Sequence, residues 1–152
     1  MKNIFDKSVT EEVISRIENL TPETQPQWGK MGVAEMLAHV CVAYEFVYTD
    51  KHDATKATGF KRFMIKLFAK DMVVGPKPYP KNGRTAPQFL ITDEREFATE
   101  KARLIEFMNK VQQDGEAKFD GMESHSFGPL NKTEWNNMFY KHADHHLTQF
   151  GV

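Results

Sequence analysis

The sequence predicts an all-α protein, a four-helix bundle that forms a single domain over residues 1–152. Two observations favour this class. Four long segments carry apolar residues at the spacing of an α-helix, and no segment shows the strict alternation of apolar and polar residues that is typical of a half-buried strand. A chain of about 150 residues is also long enough to bury a core without disulfide bonds.

The first two helices are predicted from their start signals and their periodicity. The segment Ser8–Glu11 has the Ser-x-x-Glu form of a capping box, so the first helix is expected to begin there and to end before Pro22. A second helix is predicted over Met31–Asp50. His39 lies on the apolar stripe of this second helix, and we therefore expect its side chain to face the interior.

A long crossover, from about Asp50 to Thr92, follows the second helix and contains a short basic amphipathic helix over Gly59–Val74. Because that helix is short and the chain is near neutral, we favour a helix packed over one end of the bundle with a solvated basic face. A membrane-surface helix is the alternative. The length of the crossover predicts parallel second and third helices, in an up-down-down-up order. Its irregular part, Gly75–Leu90, is of the kind that often lines a site.

The last two long helices have clear termini in the sequence. Thr92 is the expected N-cap of a third long helix over Asp93–Gln113, with Gly115 just past its end. Asn131 is the expected N-cap of the last helix, because Glu134 at the third helical position completes a variant capping box. These assignments complete the four helices of the bundle.

Composition and charge limit the classes of partner. The chain has 20 lysine and arginine residues against 21 aspartate and glutamate residues, a net charge of -1, so we expect no nucleic acid or membrane partner and a small-molecule substrate. A homodimer is compatible with the sequence. Cys41 is the only cysteine, which excludes an internal disulfide, and no apolar stretch reaches the ~20 residues that span a bilayer. A cytoplasmic location is expected.

Three of the six histidines fall within positions 142–146 of the last helix. His142 and His146 are four residues apart and lie on one helical face, so both imidazoles can approach the same point. His39 is the best third ligand. A site of three histidines suits a divalent transition metal, with zinc expected first and nickel or iron as alternatives, and the absence of an accompanying carboxylate cluster argues against a hard cation.

Several alternatives remain open at this stage. His145 lies three residues after His142 and is the alternative to His146 as a ligand, and the histidine pair also fits a hydrogen-bonded core. Cys41 is about 200° around the helix from His39, so it is expected in the core and not on the same metal. His52 is expected at the surface. His125 fits either a group above the site that orients a ligand or acts as an acid or base, or a plain loop residue. The sequence indicates no other catalytic residue.

The residues that carry these predictions also resemble a known family. The matching segments are Trp28–Met31, Glu35–His39, His125–Gly128, Glu134-Trp135 and His142–Gly151. Together they resemble the DinB/YfiT-like superfamily of metalloenzymes over nearly the whole chain, within a branch of unknown function. The resemblance implies a four-helix bundle and a histidine triad at His39, His142 and His146. The chain has Gly32 where many relatives open the second helix with Ser or Thr.

The resemblance also implies a class of reaction. Members of known activity are similar to metal-dependent thiol transferases and a thiol-dependent isomerase, which use low-molecular-weight thiols such as mycothiol or bacillithiol. We therefore expect a metal-dependent enzyme that uses such a thiol, with a non-catalytic metal or ligand-binding protein and a metal-dependent hydrolase as alternatives. The chain has no Gly-rich phosphate loop and no Gly-x-Ser-x-Gly elbow, which argues against phosphoryl transfer and serine hydrolysis.

Overall fold

The structure, a computed structural model, describes residues 1–152 and is mostly helical. Five α-helices follow one another along the chain, with a two-stranded antiparallel sheet before the last. Their bounds are α1 Lys7–Glu18, α2 Val33–Tyr48, α3 Gly59–Val74, α4 Phe97–Phe119, β1 Glu123–Ser124, β2 Gly128–Pro129 and α5 Lys132–Gln149. Two short 3-10 helices lie at Asp53–Thr55 and Pro87–Phe89. The all-α class is confirmed apart from the small sheet.

Helices α1, α2, α4 and α5 share one hydrophobic core, and α3 packs on α5. Aromatic stacking joins the two helices that carry the histidines: Tyr44 of α2 stacks on Phe139 of α5, with 4.9 Å between ring centroids. Phe139 in turn stacks on Trp135, at 5.4 Å. Such pairs add about 0.5–1.5 kcal/mol beyond the area that they bury. The core thus holds α2 and α5 side by side, while the up-down-down-up order stays a prediction.

Two predicted helix starts are wrong. The N-cap of α1 is Asp6 and not Ser8, so the expected capping box lies inside the helix. The N-cap of α4 is Glu96 and not Thr92, because the Glu96 carboxylate accepts hydrogen bonds from the N–H groups of Ala98 and Thr99. A glutamate satisfies the free N–H groups of a first turn much as shorter caps do. The capping signals in the sequence placed both starts a few residues off.

Helix α4 also continues past its predicted end. Gly115 has φ 71°, a left-handed value, and interrupts the helix, which then resumes and runs to Phe119. Glycine adopts this conformation without steric cost. The last turn is retained because Phe119 is fully buried against Phe5, Trp135 and Phe139. The predicted C-terminal glycine is therefore a kink inside a longer helix.

The start of α5 confirms its prediction. The Asn131 side chain accepts a hydrogen bond from the Glu134 N–H at 2.9 Å, and the Glu134 carboxylate accepts one from the Asn131 N–H at 3.0 Å. A capping box satisfies two otherwise free donors at once. The small sheet just before it was not predicted, and its turn depends on Ser124, whose hydroxyl donates to the Gly128 carbonyl and accepts from the Phe127 N–H.

Side chains of α5 bind the C-terminal end of α3. The buried Lys141 ammonium donates to the carbonyl oxygens of Met72, Gly75 and Lys77 at 2.7–3.1 Å, and Asn137 donates to that of Val74 at 2.9 Å. Burial lowers the pKa of Lys141 to about 8, so at neutral pH the side chain keeps the proton that three donors require. The carbonyls left free at a helix end are satisfied in this way.

Charged side chains fill part of the interface between α2 and α4. The buried Glu45 carboxylate contacts Arg103, Lys51 and His52, and the Nε2 of His52 lies 2.7 Å from its Oε2. Although burial raises the pKa of Glu45, the hydrogen bond from His52 and the charge of Lys51 hold it below its ordinary value. His52 is thus mostly buried against Glu45 and Phe46, and the expectation of a surface histidine is wrong.

The outward side of α3 differs from the favoured prediction. Its large apolar side chains Phe60, Phe63, Leu67 and Phe68 are exposed, whereas Ile65, Ala69 and Val73 pack against the core. The solvated side of this helix therefore carries large apolar side chains in addition to the basic residues that the prediction placed there. None of the helices is both long enough and apolar enough to cross a bilayer.

Candidate metal centre

Helices α2 and α5 bring His39, His142 and His146 together. All three side chains are buried, with 5–8% of each residue exposed. One nitrogen from each ring lies within 4.8 Å of the others. The Nε2 atoms of His39 and His142 are 3.0 Å apart. The predicted pairing of His142 and His146 on one face of the last helix, and the inward orientation of His39 on the second, are confirmed.

The backbone carbonyl of Phe89 sets the tautomer of His39. The Nδ1–H of His39 donates to this oxygen at 2.9 Å, because an amide oxygen can only accept. The lone pair of the neutral ring is then on Nε2, which points at His142. The short helix Pro87–Phe89 positions that carbonyl, so the long crossover does line the site as predicted.

The Gln149 side chain sets the tautomer of His146. Its Oε1 accepts a hydrogen bond from the His146 Nδ1–H at 2.8 Å, and its amide Nε2 donates to the Trp28 carbonyl at 2.7 Å. The second contact fixes which way the amide points, so the lone pair of His146 lies on Nε2. A side chain at Gly29 would displace the Gln149 amide, since a Cβ there would be 2.7 Å from its nitrogen.

Burial keeps the three imidazoles uncharged. Desolvation lowers the pKa of His39, brings the pKa of His146 to about 3, and places the pKa of His142 well below its ordinary value. The neighbouring imidazoles lower the pKa of His142 and His146 further, since two adjacent positive charges repel. Neutral imidazole is the form that binds a metal, and all three rings are in that form at neutral pH.

The donor set can hold a divalent transition metal. Two nitrogens bound to one zinc ion at about 2.0–2.1 Å lie about 3–3.4 Å apart at angles of about 90–110°. The separation of the His39 and His142 Nε2 atoms, 3.0 Å, is within that range. Only histidines form the group, which suits zinc, nickel or iron and not calcium or magnesium.

Aromatic side chains from the connecting loops surround the three histidines. The Phe89 ring lies 5.3 Å from that of His39 and 5.5 Å from that of His142, centroid to centroid. Tyr79 packs edge-on against His142 at 6.3 Å and against His145 at 5.7 Å. These rings exclude water from the site and lower its local dielectric, which strengthens any charge interaction inside.

His145 lies beside the three histidines and is not one of them. Its ring is half-buried between Trp28, at 6.0 Å, and Tyr79. The group whose nitrogens converge contains His146 instead, which favours the i,i+4 pair over the alternative that uses His145. Burial lowers the pKa of His145, so it too is neutral at pH 7.

The other candidate residues lie elsewhere. His125 stacks on Phe46 at 4.0 Å between centroids, and its Nε2 lies 3.0 Å from the Thr55 hydroxyl. Phe46 also packs against Phe89, so two aromatic rings in sequence connect His125 to His39. Its role above the site stays a prediction. Cys41 is in the core as expected, and burial raises the pKa of its thiol to about 12.

Sequence reasoning missed the groups that orient the ligand histidines. Gln149 had a usable signal, because it lies three residues after His146 and can reach it along the helix. Lys141 precedes His142 directly, but nothing in the sequence indicates that its ammonium binds the end of α3. The Phe89 carbonyl leaves no signal at all, since every residue has one.

We expect the metal-free protein to lose stability as pH falls below about 6.5, the pKa of an unfolded histidine. The folded histidines bind protons less readily than the unfolded chain, because burial lowers their pKa. Each one reduces the free energy of unfolding by up to about 1.4 kcal/mol per pH unit between its unfolded and folded pKa. Urea unfolding with a chelator, at a series of pH values, measures this slope. His146→Gln removes one such group, so the free energy of unfolding should fall less steeply with pH in this variant. An equal slope in the variant and the wild-type protein would contradict a lowered pKa for His146.

Comparisons with known proteins place the chain in a family that has no assigned activity. No curated protein and no solved structure shows significant similarity to the chain. One family model matches, described as "Protein of unknown function (DUF1569)", and it covers residues 5–151. That range contains α1 to α5 and all three histidines. The chain belongs to the DUF1569 family.

Proposed function

We propose that His39, His142 and His146 bind one divalent transition metal, with zinc first and nickel or iron next, in a DinB-like four-helix bundle that spans residues 1–152 as one domain. The observation that carries this proposal is the fixed direction of the lone pairs. The carbonyl of Phe89 and the amide of Gln149 each accept the Nδ1–H of one histidine, which places the lone pairs of His39 and His146 on Nε2. Ligand histidines in metal sites are oriented by such partners.

The protein is, on this proposal, an enzyme that uses a low-molecular-weight thiol. Three protein ligands leave a coordination position open, as in catalytic zinc sites, and a bound metal favours the thiolate form of a sulfur ligand. The resemblance to DinB/YfiT-like thiol transferases supports the thiol. The partly buried aromatic side chains of Phe89 and Tyr79 pack against His142 and restrict the access of water to the site.

His145 is a candidate for the residue that receives the thiol proton. Its ring lies 5.0 Å from that of His146, centroid to centroid, and it is half-exposed, so it can both reach the site and release a proton to solvent. It is neutral at pH 7 because burial lowers its pKa. A neutral imidazole can accept a proton, as a general base must.

Two other functions remain as alternatives. A metal-dependent hydrolase needs a base for the attacking water, and no carboxylate joins the group of three histidines. A non-catalytic metal or ligand-binding protein would be favoured by a fourth protein ligand, which that group does not contain. The open position therefore favours an enzyme with a small-molecule substrate over both.

Elemental analysis of protein purified without a polyhistidine tag tests the metal. We expect about one equivalent of a divalent transition metal per chain, and its loss in His39→Ala, His142→Ala and His146→Ala, since two imidazoles hold a metal much less tightly than three. His145→Ala is the matched control on the same helix and should keep its metal. Equal metal content in all four variants would refute the site.

A second prediction concerns Gln149. Gln149→Leu removes the acceptor for the His146 Nδ1–H and should weaken zinc binding by about 10–100-fold, the usual effect of losing such a partner. Gln149→Glu keeps an acceptor for the His146 Nδ1–H but loses the donor to the Trp28 carbonyl, so it should weaken binding less than Gln149→Leu. Competition with a chromophoric chelator measures both. If the two substitutions weaken binding equally, the Gln149 oxygen does not orient His146.

Cobalt substitution tests the thiol separately from the metal. A sulfur ligand on cobalt gives an intense near-ultraviolet charge-transfer band that nitrogen and oxygen ligands lack, so bacillithiol, mycothiol or glutathione should produce this band. Binding should also release a proton, because the thiolate is the ligand. A cobalt-loaded protein whose spectrum none of the three thiols changes would contradict the transferase and leave the metal site intact.

A further inference from the structure

Helix α3 has an exposed apolar face that the metal site does not use. Five of its large apolar side chains are 49–77% exposed: Phe60, Phe63, Leu67, Phe68 and Met72. Elsewhere in the chain only Met1 and Leu90 are large, apolar and exposed. Scattered apolar residues are normal on a surface, whereas a contiguous patch on one helix marks a contact site.

The rotation of α3 is fixed by polar contacts, so this face cannot turn inward. Arg62 forms an ion pair with Glu123 at 2.8 Å and donates to the Ala57 carbonyl, and Lys70 forms an ion pair with Glu134 at 2.6 Å. Lys141 and Asn137 bind the far end of the helix. Contacts at the start, middle and end of α3 thus hold its aromatic side chains in solvent.

The charge of α3 differs from that of the whole chain. The helix contains four basic residues and one acidic residue, a net charge of +3, whereas the chain has a net charge of -1. Lys61 and Lys66 have no carboxylate partner among the ion pairs, and both are exposed. With about 100° between successive residues, they flank the apolar face on opposite sides. Asp71 lies on the outward side in the last turns, so the part of the face that combines exposed apolar side chains with unpaired lysines is confined to residues 60–68.

We infer that α3 docks on an anionic lipid bilayer, with Phe60, Phe63 and Phe68 at the boundary of headgroups and acyl chains. Lys61 and Lys66 then meet the negative headgroups, and the helix lies in the plane of the interface. An apolar face bordered by lysines is the pattern of helices that bind in this way. The expectation of no membrane partner rests on the net charge of the whole chain. It does not account for the local positive charge of α3.

A second copy of the chain suits this face less well. Pairing two α3 helices through their aromatic side chains would bring Lys61 and Lys66 of one copy close to those of the other, and like charges in contact weaken association. Anionic headgroups instead complement both lysines of each copy. Charge complementarity therefore favours an anionic bilayer over a second copy of the chain as the partner of this face of α3.

Sedimentation with lipid vesicles tests the inference on the full chain. Binding is expected to vesicles that contain phosphatidylglycerol and not to vesicles of phosphatidylcholine alone, and it should weaken as salt is added. Replacing Lys61 and Lys66 with Gln should weaken binding about fivefold for each lysine. Phe63→Ser with Phe68→Ser should abolish it, with an unchanged helical circular dichroism spectrum, because both rings are exposed.

Lys7→Gln with Lys110→Gln is the matched control, since it removes the same charge from α1 and α4. If the control weakens binding as much as the α3 lysines do, attraction is non-specific and the inference fails. No binding to anionic vesicles at low salt would overturn it as well. A dimer in sedimentation equilibrium that the two serine substitutions dissociate, without vesicle binding, would assign the face to a second copy.

Discussion

The burial of three mutually contacting imidazoles is the constraint on which the rest of the site depends. A charged ring in this cluster would be desolvated and would repel its neighbours, so all three must be neutral. A neutral ring still carries one N–H that needs an acceptor when it is buried. The Phe89 carbonyl and the Gln149 amide supply acceptors for two of them. The Nε2 atoms of His39 and His142 then lie 3.0 Å apart, an arrangement that a bound cation would stabilise.

The need for these acceptors explains why distant segments meet at α5. Gln149 is held by the Trp28 carbonyl, which brings in the loop before α2, and Phe89 belongs to the crossover after α3. Lys141 ties the end of α3 to the same helix, one residue before His142. A single face of α5 therefore binds both loops and a neighbouring helix. The contacts that orient the histidines thus also hold the two loops and α3 against α5.

Sequence patterns predicted the helices and the three histidines because both depend on periodicity. The spacing of His142 and His146 fixes their common face whatever surrounds it. Boundaries were less accurate, since the Glu96 cap and the kink at Gly115 depend on local hydrogen bonds and on the burial of Phe119. The Phe89 carbonyl could not have been predicted, because its contact with His39 joins residues 50 positions apart.

Helix α3 shows the limit of periodicity most clearly. An amphipathic pattern reveals that a helix has an apolar side, but only tertiary contacts decide what that side faces. Here the inward positions hold Ile65, Ala69 and Val73, while ion pairs from Arg62 and Lys70 fix the rotation that exposes the aromatic side chains. Lys141 binds the end of α3 from the position directly before His142, so the helix with the exposed face and the helix with two of the three histidines are joined beside the cluster.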